Sequence, residues 1–440
     1  MSKNNVKRIT HVLIFCVLFL AAGKLLGYIS NDDTQSYTRI TYHEMYAQDN
    51  IDILFVGSSH CYRSFIPDIL DKELGMNTFN AGSSGQNTDG SYLVIKEAAK
   101  YNHIKHIYLE VYFSVAISER SPTSAYIIAD YLKPSLDKTL FLLQATESAH
   151  YANSFILARR NWNKLANPSY ALHTVKKKLS GEYRNYSYEA VSDEIERYAG
   201  KGYVANYQSV IDCNYYSEKG FAPIDIQGIM PDWKTNLDRI IDFCEKKDIP
   251  LTLIAAPMSN FQLAGHGNYD EYISYIHNIA ENRHINFYDF NLCKEEYFPN
   301  TSELFKDPGH LNNNGAETFS RIFAGLVKGE ISSDEMFYSS YDEKLAHLSA
   351  AVFGISYCDR INDDGITERK CKIVSNRQTG LEYSISLITS SNSAEDDIIY
   401  TSDFTDNPDF VLNPDFTGKC IIRYRKAGDK KNINEVTIDS

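Results

Sequence analysis

From residue 51 onward, strand-length apolar runs alternate with segments of helical period, and this alternation sets the predicted fold class. Residues 51–56 form an apolar run of strand length that ends in Gly57-Ser58-Ser59-His60. A helical segment over 66–74 follows, then a short strand at 76–80, a helix over 88–101 and a strand at 104–112. The pattern resumes with a helix over 232–247, a buried strand at 250–257, a helix over 268–283, a strand at 285–290 and a helix over 314–327. Strands separated by helices of this size imply βαβ units with right-handed crossovers. The expectation is an α/β domain over 45–330, three-layer α/β/α, with a parallel sheet.

The periodicity breaks in three places. Between 115 and 230 lies an insertion with apolar-periodic helices at 135–147 and 151–165, the basic run Lys176-Lys177-Lys178 and tyrosine-rich stretches over 183–216. It leaves the sheet at the end of the third strand, so a substrate cap and a purely structural helical layer both fit. Residues 345–353 read as a last helix or a connector. Beyond 354, short β-rich runs at 372–374, 383–388, 398–400, 410–412 and 420–424 are divided by turn residues, which predicts a small β-sandwich over 354–440.

At the N-terminus, residues 9–29 are nearly continuous apolar sequence, about long enough to cross a bilayer core of roughly 30 Å. Lys3, Lys7 and Arg8 precede the run, so the positive-inside rule puts a cytoplasmic stub before it and the rest of the chain outside. Residues 1–30 are therefore expected to be a stub and transmembrane anchor of a single-pass membrane protein. Ala21-Ala22-Gly23 leaves a cleaved signal peptide as the alternative, and both readings export the domain.

Composition narrows the partners. The chain of 440 residues carries a formal charge of -13, which argues against nucleic acid. Its eight cysteines show no C-x-x-C or Cys/His metal spacing, so no metal is expected; Cys358 and Cys371 are near enough in sequence to pair. Tyrosine is plentiful at 32, which suits both glycan contact and ordinary amphipathic packing.

Candidate chemistry collects at the strand-to-helix turn after residue 56. Backbone N–H groups at a helix start attract an incoming oxygen there, so Ser59 is placed to act as a nucleophile. Far along the chain, Asp307-Pro308-Gly309-His310 offers a base and a carboxylate three residues apart in a tight turn. Taken singly, Ser58, Ser59 and Asp307 are also plausible helix caps. His60, next to Ser59 in sequence, is poorly placed as its base. Arg63 fits either an anionic group of the acceptor or a pairing with Asp68. Ser114 fits a hydrogen-bond donor or a plain strand end. Glu110 is expected to be buried and balanced by a partner, and His266 and His277 to lie at the surface.

These residues carry a resemblance. Gly57-Ser58-Ser59-His60, Phe79-Asn80-Ala81-Gly82-Ser83-Ser84-Gly85-Gln86 and Asp307-x-x-His310 resemble the first, second and last blocks of the SGNH/GDSL-type serine hydrolases. The third block departs: the family reads Gly-x-Asn-Asp where this chain has Leu109-Glu110-Val111-Tyr112-Phe113-Ser114. The resemblance implies Ser59, His310 and Asp307 as catalytic residues, with the Ser59 and Gly85 amides as an oxyanion hole and no cofactor. Arg63 behind an N-terminal membrane segment is most similar to the membrane-anchored branch that transfers D-alanyl and other acyl groups at the cell surface. That implies an O-acyltransferase or esterase acting on a cell-surface glycan or teichoic-type polymer, with a membrane-bound O-acyltransferase as a possible donor-side partner. The alternative from another class is a non-catalytic envelope scaffold that keeps the fold.

Overall fold

The apolar N-terminal run forms one helix, α1 (Lys3–Ser30), long and apolar enough from Asn5 to Ser30 to cross a membrane. The structure is a computed structural model that describes residues 3–208, 215–217, 221–362, 365–377, 379–389 and 397–439. After α1, a helix over Tyr37–Ala47 that the sequence pattern did not suggest leads into the sheet.

The central sheet is built from β1 (Ile53–Val56), β2 (Thr78–Asn80), β3 (His106–Glu110), β4 (Leu251–Ala255) and β5 (Asn286–Asp289). All pairings are parallel, in the order β2-β1-β3-β4-β5. The chain leaves β1 to one side for β2 and returns to the other side for β3. The gap between the ends of β1 and β3 is therefore a topological switch point, where open α/β sheets place ligands.

Both faces of the sheet are covered, because its strands are apolar at successive positions and not only at alternate ones. Leu54, Val56, Ile107, Leu109 and Leu253 point to a core closed by α4 (Thr88–Ala98), α5 (Pro231–Lys247) and α6 (Tyr269–Asn282). Ile53, Phe55, Tyr108 and Ile254 point to a core closed by α2 (Ser59–Ser64), α3 (Pro67–Leu74) and α7 (Asn313–Lys328). The result is a three-layer α/β/α domain. In the aromatic layer under α7, Phe55 stacks on Phe65 at 4.3 Å, and Phe323 meets both edge-on.

The insertion is more broken than its periodicity predicts. The stretch 151–165 forms three short helices, Tyr151–Phe155, Leu157–Arg160 and Trp162–Leu165. Ile156 and Asn161 leave helical geometry to cap the next turn, and Asn161 Nδ2 donates back to the Leu157 carbonyl. The insertion returns to the sheet as a hairpin, Glu196–Tyr198 with Val204–Asn206.

Residues 345–353 are neither one helix nor a loop. A helix over Tyr341–His347 ends there and a strand over Val352–Ile361 begins. The C-terminal region is two four-stranded sheets facing each other across Ile355, Ile373, Leu381, Ile385 and Ile422. One of these strands, Tyr215–Ser217, comes from the insertion and pairs in parallel with Val352–Ile361. A bond between Cys358 and Cys371 does not form. Cys371 lies opposite Tyr357 and Cys358 opposite Lys370, so the pleat turns the two sulfurs to opposite faces. Cys213 lies outside the described residues.

Asn80, at the end of β2, ties the sheet to the turn that carries Ser59. Its buried amide donates to the carbonyls of Cys61 and Phe65 and accepts from the Gly82 N–H. Truncation strands several buried polar groups at once. Asn80→Ala is expected to lower unfolding stability by about 2–4 kcal/mol, read as a fall in the urea midpoint at unchanged slope; a shift below about 0.5 kcal/mol would contradict it.

Candidate active site

The turn that carries Ser59 begins where β1 runs out. Gly57 has φ +151, and a Cβ there would lie 2.6 Å from Glu110 Cβ, so only glycine allows the ends of β1 and β3 to approach this closely. Ser58 follows as the N-cap of α2, its Oγ accepting from the His60 N–H at 3.3 Å. The cap reading holds for Ser58 and leaves Ser59 free of that role. Ser59, the first helical residue, directs its Oγ to His310 Nε2 at 2.8 Å.

His310 and Asp307 are held by a small antiparallel hairpin, Phe305–Asp307 with His310–Leu311. Asp307 Oδ1 accepts from the Gly309 and His310 backbone N–H groups at 3.0 and 2.9 Å and lies 2.8 Å from His310 Nδ1. A carboxylate can only accept, so the proton sits on Nδ1 and Nε2 offers its lone pair to the Ser59 hydroxyl. Burial raises the pKa of Asp307, but the hydrogen bond and charge of His310, with Lys306 and the Gly309 N–H, outweigh it. The carboxyl is held well below the usual carboxylate range. The structure thus joins Ser59, His310 and Asp307 in one chain of hydrogen bonds.

Gly85, at φ +62, lines the same cavity as Ser59; a Cβ there would lie 2.9 Å from Ser124 Oγ. This cavity, of about 290 Å³, has Ala125, Ile128 and Phe141 among its apolar walls. A second, of about 330 Å³, opens on the His310 side between Tyr112, Tyr216, Phe221 and Gln262. Ser114 lines both cavities, from the first turn of a short helix over Phe113–Ile117 that continues the third block.

Arg63 is not where an acceptor-binding role would put it. It lines neither cavity, and its Nη2 lies 2.6 Å from Glu196 Oε1, on the returning hairpin of the insertion. Asp68, the expected partner, is replaced by a carboxylate distant in sequence. Lys306 also reaches Glu196, at 3.4 Å, and Asp307, at 3.6 Å, so Arg63, Glu196, Lys306 and Asp307 form one charged chain behind the imidazole.

Several residues acquire roles that their sequence positions did not signal. His60 is fully buried, with its ring 3.9 Å from Tyr112 and 4.4 Å from His310 between centroids. Burial and the neighbouring His310 hold its pKa well below the ordinary imidazole value, so it is a neutral ring packed beside His310. Lys306 and Glu196 could have been found only by knowing that the insertion returns to the site. His266 is a correction: it is buried against Phe113 and Phe221, its Nδ1 donating to the Ala222 carbonyl at 2.6 Å. His277 is half-buried against Phe287.

Glu110 is buried at the end of β3, and its Oε2 accepts from both the Ser58 N–H and the Ser58 Oγ, each at 2.7 Å. Its partner is therefore a serine and a backbone amide, not a cation. Burial outweighs those two hydrogen bonds and pushes the carboxyl up to about 7.

A protein-family model that carries no descriptive name matches residues 233–332. No curated protein matches the chain. Among solved structures, the chain is similar to a protein described as lipolytic, of the G-D-S-L family, from Desulfitobacterium hafniense (TM-score 0.31, 10% identity, covering 62% of this chain and 98% of that one). A protein from Streptococcus pneumonia described as a platelet activating factor gives TM-score 0.28 and 12% identity, covering 70% and 97%. A two-domain esterase active on acetylated mannans, co-crystallized with mannopentaose, gives TM-score 0.28 and 10% identity, covering 90% and 93%. In this chain the parallel sheet order, the serine at the end of β1 and the Asp-x-x-His ahead of α7 bring a hydroxyl, an imidazole and a carboxylate together at one edge of the sheet.

The Glu110 environment has a pH signature. An acid whose folded-state pKa is raised binds more protons folded than unfolded between its ordinary value, 4.5, and about 7. Its contribution to stability therefore falls as pH rises through that window and stays low above it. Glu110→Gln keeps an acceptor for Ser58 and removes the ionisation. The variant is expected to gain on the wild type by on the order of 3 kcal/mol between pH 5 and pH 8, read by urea unfolding at both pH values. A difference that does not change with pH would show that Glu110 ionises normally.

Proposed function

We propose that the chain is an exported, membrane-anchored serine acyl-transfer enzyme acting on ester-linked acyl groups of a cell-surface polysaccharide or teichoic-type polymer. The observation that carries this reading is the unbroken hydrogen-bond chain from Ser59 Oγ through His310 to Asp307, with both links at 2.8 Å. In the proposed reaction, Ser59 Oγ bonds to the acyl carbon while its proton passes to His310 Nε2, and the carbonyl electrons move onto oxygen. The Ser59 and Gly85 amides are the proposed oxyanion donors, each worth a few kcal/mol in such sites. Collapse of the intermediate breaks the bond to the departing alkoxide, which takes the proton back from His310. A sugar hydroxyl or water then attacks the acyl-serine by the reverse sequence, giving transfer or hydrolysis.

Two features support the assignment of substrate sides. The cavity on the Gly85 side holds an apolar patch of Ala125, Ile128, Phe141 and Ala145, which suits an acyl group, within a rim that also carries Asp89, Glu119 and Arg120, while the one on the His310 side is aromatic and polar, which suits a sugar ring. Ser114, on the border of both, is the proposed substitute for the missing third-block asparagine.

A fluorophosphonate probe tests the nucleophile. Wild type should be labelled stoichiometrically, Ser59→Ala should not react, and His310→Gln should react at least about 100-fold more slowly. An inert wild type that is folded would favour the scaffold reading instead. Among active preparations, the ratio of acylated oligosaccharide to free acid formed from an aryl ester separates transfer from hydrolysis.

A further inference from the structure

The segment from Tyr151 to Gly181 differs in charge from the rest of this acidic chain. It contains Arg159, Arg160, Lys164, Lys176, Lys177 and Lys178, and no aspartate or glutamate. The same segment exposes large apolar side chains. Trp162 is 70% and Leu172 72% exposed, and Phe155, Ile156 and Leu179 are exposed as well. Single exposed apolar residues mean nothing, but five within one basic segment are a pattern.

That segment is built onto the end of α1. Helices Leu157–Arg160, Trp162–Leu165 and Pro168–Lys178 all pack against it. A Cβ at Gly27 would lie 2.9 Å from Leu157 Cβ, which measures how closely the two helices approach. Lys178 Nζ donates to the Tyr28 carbonyl at 3.1 Å and pairs with Asp33 at 2.8 Å. Elsewhere α1 is bare, with Leu25, Leu26 and Tyr28 exposed next to the contact.

Depth follows from length. At about 1.5 Å per residue, the 26 residues of Asn5–Ser30 span roughly 39 Å, more than a hydrocarbon core of about 30 Å. The last turn of α1 therefore reaches the bilayer surface, and the helices packed on Gly27 lie at that boundary. We infer that residues 151–181 form a membrane foot: short helices lying in the lipid headgroup layer beside the anchor, with Trp162, Leu172 and Leu179 entering the acyl boundary and the free basic groups meeting anionic headgroups. Arg160 and Lys178 are already paired with Asp130 and Asp33, which leaves Arg159, Lys164, Lys176 and Lys177 for the lipid. Basic side chains with interleaved Trp and Leu are what an interfacial helix requires.

The foot rests on the membrane-anchored part of the proposed function and not on its chemistry. The chain has two tryptophans, and Trp233 is buried in the α5 core, so the fluorescence difference between wild type and Trp162→Phe reports Trp162 alone. The full chain is reconstituted in phosphatidylcholine vesicles with about a quarter phosphatidylglycerol, with or without bromine on the acyl chains. The expected result is protein that floats with the vesicles and a Trp162 signal that falls at least about twofold with brominated lipid while resisting aqueous iodide. Floating protein whose Trp162 is quenched by iodide and not by bromine overturns the foot and leaves the anchor standing. Protein that does not float overturns both. Trp162 is exposed, so its replacement by Phe leaves the core intact.

Discussion

The hydrogen bond between Ser59 and His310 closes a loop of 251 residues, and most of the domain exists to hold its two ends at that distance. Closing a loop of this length has an entropic cost that two side chains cannot offset alone. Large apolar surfaces do the work. The α2 and α3 segment and α7 bury Phe65, Leu70, Phe319 and Phe323 in one cluster against β1, so the serine turn and the Asp-x-x-His turn are fastened to the same layer. Ser320 Oγ adds a direct tie, accepting from the Ile66 N–H and donating to the Ser64 carbonyl.

Behind the imidazole the insertion becomes part of the site. Glu196 comes from its returning hairpin and joins Arg63 to Lys306, which stands beside Asp307. The carboxylate that orients His310 thus lies in a field set partly by a segment absent from the sheet. The insertion also supplies Tyr215–Ser217 to the C-terminal sandwich, and Tyr216 from that strand lines the cavity on the His310 side. The insertion, the sandwich and the layer that carries Ser59 and His310 are consequently joined around the cavity on the His310 side.

The proposed membrane foot would give this unit a fixed orientation. Helices of the insertion sit on the end of α1, while strands of the same insertion reach Arg63 and the cavity on the His310 side. A bilayer-bound foot would set the height and tilt of the cavity on the His310 side relative to the membrane surface. Anchoring by one helix alone would leave the domain free to rotate about its tether.

Much of the fold was legible in local pattern. Alternating apolar runs and helical periods fixed a parallel sheet with layers on both faces, because strand and helix periodicity are set by sterics over a few residues. Ser59, Gly85, Asp307 and His310 were legible as motif positions, and α1 from its length and apolarity. Partner choice was not. Arg63 meets Glu196 and not Asp68, the partner of Glu110 is Ser58, and His266 is buried although it was expected at the surface. Each of these depends on which distant segments pack together, and only the closure of the tertiary structure decides that.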